Sequence, residues 1–140
     1  MIVKVIHKNL CSEARLELHN PTLIASVTID KKMSNKAALE YAFEKTQNIQ
    51  DSWSNPRRDG QPNLDGGDMV KVEAPLYEED GELWGHRSSM MGDFFAIGQK
   101  MYVCEFRGFS QCEPVSYTVR GKRSDGEDYC YIVSNPLDDL

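Results

Sequence analysis

Only one stretch of the chain repeats its apolar residues at helical spacing, and this limits the fold more than any other feature. Ala38, Leu39, Ala42, Phe43 and Thr46 recur at i, i+1, i+4, i+5 and i+8, which places them on one face of a helix. Ser34 precedes them and can N-cap, because its hydroxyl accepts a free backbone N–H. No Glu or Gln stands three residues after it, so the full capping box is absent. Glu40, Glu44, Lys36 and Lys45 can stay in water. The spacing predicts a helix over about 35–47.

The rest of the chain reads as short strands. Residues 2–8 are rich in β-branched side chains, and residues 15–19 and 69–73 alternate polar and apolar, as half-buried strands do. Further strands are expected at 22–29, 94–97, 100–109, 116–120 and 129–133. Gly98-Gln99 and Ser124–Glu127 suit hairpin turns. Between helix and strand, residues 48–68 hold Asp-Gly twice, Gly-Gly once and two prolines, which is turn chemistry throughout. A loop that long in a small domain is usually a functional one. The expected fold class is α+β: a mainly antiparallel β-sheet, one principal helix packed on it, and a long polar loop. At 140 residues the chain fits one domain over 1–140. It would carry an acidic insert at about 51–82 and a frayed acidic tail at about 134–140.

The net charge is −6, but it is unevenly placed. Residues 1–50 carry +2, residues 51–82 carry −6, residues 83–123 carry +3 and residues 124–140 carry −5. General coating of nucleic acid is excluded, because it needs a surplus of Lys and Arg. A local anion site is not. No apolar run approaches the roughly 18–20 residues of a membrane span. The opening residues are too polar for a signal peptide. That favours reduced thiols for Cys11, Cys104, Cys112 and Cys130, with Cys104 and Cys130 as small core residues of strands. No C-x-x-C or H-x-x-x-H spacing is present, so no metal site or other cofactor is expected.

Two groups of residues can carry chemistry. His86, Arg87, Ser88 and Ser89, followed by Gly92 and Asp93, combine a planar cation, hydroxyls and a group that titrates near neutrality. They suit a phosphate or carboxylate. The plainer reading is a turn in which Asp93 bonds local backbone. Gln47, Asn48 and Trp53 can read a nucleotide base through amides and stacking. The plainer reading makes Asn48 the left-handed cap of the helix and Trp53 a core cover. A Ser/His/Asp set can be written from Ser88, His86 and Asp93. It puts nucleophile and base two residues apart and lacks a G-x-S-x-G elbow, so no catalytic residue is assigned.

These same segments form a spaced series. Leu39-Glu40-Tyr41-Ala42-Phe43, Thr46-Gln47-Asn48, Ser52-Trp53, His86-Arg87-Ser88-Ser89-Met90-Met91-Gly92-Asp93 and Gly108-Phe109 span about residues 37–109. The series resembles a family of small bacteriophage- and plasmid-encoded proteins with the pattern AF..TQN…SW…HRS…GD…GF. Met90-Met91 stand where that pattern has smaller or β-branched residues. The resemblance implies a mobile-element origin and a bacterial cytoplasm. It implies no reaction.

The expected function is non-enzymatic binding to a host protein with a basic surface, such as a defence protein. Asp59, Asp65, Asp68, Glu78, Glu79 and Asp80 would supply the acidic contacts. The alternative is a nucleotide or other small anion bound by His86, Arg87, Ser88, Ser89, Gln47, Asn48 and Trp53. A nucleotide- or nucleic-acid-processing enzyme is the weaker alternative, because no general base or metal set is visible.

Overall fold

The computed structural model describes residues 1–11, 17–18, 20–30, 32–49, 52–55, 65–67 and 69–134. Among these residues it has one helix, α1 (Asn35–Lys45), and twelve strands. The strands are β1 (Ile2–His7), β2 (Leu10–Cys11), β3 (Glu17–Leu18), β4 (Thr22–Thr28), β5 (Val70–Val72) and β6 (Tyr77–Glu79). They continue with β7 (Glu82–Trp84), β8 (Phe94–Ile97), β9 (Lys100–Glu105), β10 (Gly108–Cys112), β11 (Tyr117–Lys122) and β12 (Asp128–Val133). The fold is α+β and dominated by sheet.

One sheet runs β10-β9-β8-β1-β4-β11-β12, with β5 joined to β4 off that path. Every pairing in it is antiparallel except β11 with β4. β1 occupies one edge of β4 along its length, so β5 and β11 share the other. β5 pairs with Ala25–Val27, whereas β11 meets β4 only at Thr22. The sheet therefore forks at β4. Two small hairpins, β2–β3 and β6–β7, stand apart from it.

Alternation sorts the side chains by face. Val3, Val5, Phe95 and Cys104 join a buried cluster with Ala38, Leu39 and Ala42 of α1 and with Trp53. Ile6, Leu23, Ala96, Met101 and Tyr117 form a second cluster. His7 falls in the Val3–Val5 phase of β1 and is likewise fully buried.

Ser34 caps α1 as its position predicts, accepting the Ala37 N–H at 3.1 Å. The helix stops earlier than the spacing suggests. Thr46 is the C-cap, and its hydroxyl donates to the carbonyls of Ala42 (2.9 Å) and Phe43 (3.2 Å). Asn48 is not left-handed: Asp80 is the only non-glycine with positive φ among the described residues. The single strand expected at 100–109 is two strands, because the chain turns at Phe106-Arg107 and Gly108 takes φ +111°. Cys130 is exposed rather than core, as are five of the six residues of β12. Cys104 is buried, and Cys104, Cys112 and Cys130 are free thiols. Of the strand expected at 15–19, residues 17–18 form β3 and the others lie outside the described residues.

Candidate functional site

The two groups singled out by the sequence meet in space. The end of α1, the segment 52–55 and the segment 86–93 converge on the C-terminal end of β1, and hydrogen bonds to backbone groups fix the meeting. The Ser89 N–H donates to the Thr46 carbonyl at 2.9 Å. The Asn48 N–H donates to Ser88 Oγ at 2.8 Å, and Asn48 Nδ2 donates to the His86 carbonyl at 3.2 Å. Asn48 Oδ1 accepts the Trp53 N–H at 2.8 Å. Trp53 Nε1 donates to the Arg87 carbonyl at 2.8 Å. Gln47 Nε2 donates to the carbonyls of Phe43 and Ser89, both at 3.0 Å. Trp53 packs between two imidazoles, 6.4 Å from His7 and 6.1 Å from His86 between ring centres.

Arg87 and Asp93 form the charged part of this hub. Both terminal guanidinium nitrogens lie 2.7 Å from Asp93 oxygens. The same nitrogens donate to the Ser88 carbonyl and to both oxygens of Asn9. Asp93 also accepts the N–H groups of Lys8 (2.9 Å) and Met90 (2.8 Å). Burial pushes its carboxyl up, but the Arg87 bonds, the neighbouring His7 and the Lys8 N–H outweigh this and hold it below its ordinary value. An anion arriving at Arg87 would have to displace Asp93.

His7 reaches Ser89 Oγ with Nε2 at 3.0 Å, and Ser89 Oγ lies 2.7 Å from Thr46 Oγ1. Proton counting orders this chain. The Thr46 proton goes to helix carbonyls, so Thr46 must accept from Ser89, and Ser89 must accept from His7 Nε2–H. His7 Nδ1 is then the bare nitrogen, and it has no hydrogen-bond partner among the described residues. Burial lowers the His7 pKa from 6.5 to about 3, against the pull of Asp93. The 3.9 Å approach of Asp93 to His7 is therefore not an ion pair at neutral pH. His86 donates Nε2–H to the Ala74 carbonyl at 2.9 Å. Burial also lowers its pKa, with Arg120 and Arg87 adding to the effect.

Ser89, His7 and Asp93 thus lie together without forming a hydrolase triad. Asp93 approaches the same imidazole nitrogen that bonds Ser89, whereas a triad needs it on the other one. The Ser89 proton points to Thr46, and Ser89 is buried. The set written from Ser88, His86 and Asp93 does not assemble either: Ser88 takes the Asn48 N–H, His86 turns to Ala74, and Asp93 pairs with Arg87. Sequence reading missed His7 and Asn9. The period of β1 pointed His7 inward, but no local signal marked Asn9 as a partner for Arg87.

The acidic candidates are dispersed. Asp65 accepts the Ile49 N–H at 3.2 Å. Asp80 sits exposed in the β6–β7 turn at φ 54°. Asp59, Asp68 and the side chains of Glu78 and Glu79 lie outside the described residues. A cleft of about 830 Å³ opens in the fork between β5 and β11. Among the described residues no three His, Cys, Asp or Glu side chains are grouped to hold a metal ion, and no helix is long and apolar enough to cross a membrane. No family model matches the chain, and no curated protein or solved structure gives a significant match.

Proposed function

We propose that the protein works by binding a partner protein rather than by turning over a substrate, as an accessory protein of a mobile element in a bacterial cytoplasm. The observation that carries this reading is strand β12. It is the last strand of the sheet, with Tyr131 55% and Ile132 67% exposed. An open edge bearing apolar side chains is a surface made for pairing. Charge selects the partner. Residues 124–140 contain five Asp/Glu and no Lys/Arg, so a basic segment is attracted and a second copy of this chain is repelled. In sequence, Asp59, Asp65, Asp68, Glu78, Glu79 and Asp80 add further acidic residues outside that stretch. The hub supports the reading from the other side, because its polar groups bond one another. We read α1 as packed across the sheet, where its C-terminal turn anchors the hub.

The test is capture from host lysate over a salt series, using wild type, Tyr131→Ser with Ile132→Ser, and Asp125→Asn with Asp128→Asn. A specific complex should weaken with salt and be lost in both variants. Capture that ignores salt and both variants would overturn the proposal.

A further inference from the structure

The cleft between β5 and β11 is lined by residues 120–122 of β11 and 128–130 of β12. Val72, Pro75 and Leu83 contribute apolar lining, while Arg120 and Tyr129 come from the hairpin. The Tyr129 ring lies across Gly121, where a Cβ would collide with it, and stacks on Tyr131. Small-molecule sites typically occupy roughly 300–1,000 Å³, so a volume of about 830 Å³ is ample.

Arg120 and Lys122 face Glu73 and Asp128 in the lining, so its formal charges balance and only the pairing singles out Arg120. Lys122 stands opposite Asp128 in the β11–β12 ladder. Glu73 lies 3.8 Å from Lys71. Arg120 is half-buried and makes no ion pair among the described residues. Such a guanidinium beside apolar walls favours a ligand with one anionic group and a flat apolar body.

We propose that this cleft binds a small aromatic anion, with its negative group on Arg120 and its ring against the apolar wall of Val72, Pro75 and Leu83. An aromatic carboxylate and a nucleoside monophosphate share that chemistry. The lining meets the hub at Ser54 and Ala74, which bond His86, but the anion would sit on Arg120 rather than on the Arg87–Asp93 pair.

The probe is 8-anilinonaphthalene-1-sulfonate, titrated into the full chain at neutral pH. Saturable binding of one probe per chain with blue-shifted emission is expected. Arg120→Gln should weaken it roughly tenfold or more. Leu83→Glu, at a position already 46% exposed, should weaken it similarly while leaving Tm unchanged. Arg107→Gln, an exposed arginine at the β9–β10 turn, should leave the affinity as it was. Displacement by guanosine monophosphate would identify the phosphate source, and displacement by indole-3-carboxylate the carboxylate source. Absence of saturable binding, unchanged affinity in Arg120→Gln, or failure of both anions to displace the probe would overturn the proposal.

Discussion

His7, Arg87 and Asp93 show how a strong constraint arises from residues that are unremarkable in the sequence. His7 is fully buried and neutral in the fold, whereas in the unfolded chain it protonates near 6.5. The unfolded state therefore binds more protons between pH 6.5 and about 3. Stability from this residue is present above 6.5 and is lost as the pH falls through that window, at up to about 1.4 kcal/mol per pH unit. His86 acts in the same direction. Asp93, held below its ordinary value, adds stability that is lost only in stronger acid. Denaturant melts from pH 7.5 to 4.5 should show a falling midpoint, and His7→Gln should flatten the fall. A profile unchanged by that substitution would contradict the assignment of His7 as buried and neutral. Asp93→Asn should cost about 3–5 kcal/mol, because it strands a nearly buried guanidinium. Arg87→Lys should also destabilise, since a point charge cannot replace the fork; thermal unfolding measures both.

At the scale of elements, the hub is the joint between α1, β1 and the segment leading into β8. Thr46→Val keeps the shape but removes the acceptor for Ser89 and the donor to the helix carbonyls. It should cost about 1–3 kcal/mol, with Thr46→Ser restoring much of the loss. Gly85 is needed for close approach. A Cβ there would collide with Ser52 Oγ and come within 2.8 Å of Ser54 Oγ. Gly85→Ala should lower Tm, and adding Ser52→Ala should recover part of it; no recovery would place the strain elsewhere. Most elements were legible because their signals are local. The spacing around Leu39 marked α1, the alternation at Val70–Val72 marked β5, and Gly98-Gln99 marked a hairpin. The break at Phe106-Arg107 was hidden because both sides have strand composition. The sequence grouped Asn48 with His86 and Ser88 as one candidate ligand site, but not the bonds that join them, since a bond across 38 or 40 positions leaves no periodic trace.

For the whole molecule, charge is sorted by strand rather than averaged. Arg120, Lys122 and Arg123 follow one another on β11 and just after it, and Asp125, Glu127 and Asp128 lie on the turn and the start of β12. A net charge of −6 conceals this, and so would any reading by total composition. Partner binding at β12 and anion binding at Arg120 should therefore respond oppositely when these two sets are neutralised separately.

The hub also sets an order of assembly. Lys8 and Asp93 are 85 positions apart, and His7 and Ser89 are 82 apart. During synthesis β1 can pair with β4 early, but its other edge and the buried end of the strand must wait for residues 86–97 to leave the ribosome. Contacts of such long range close slowly. Refolding is expected to be limited by the docking of 86–93 onto a preformed β1–β4 pair, so a hub substitution such as Thr46→Val should slow folding more than it speeds unfolding.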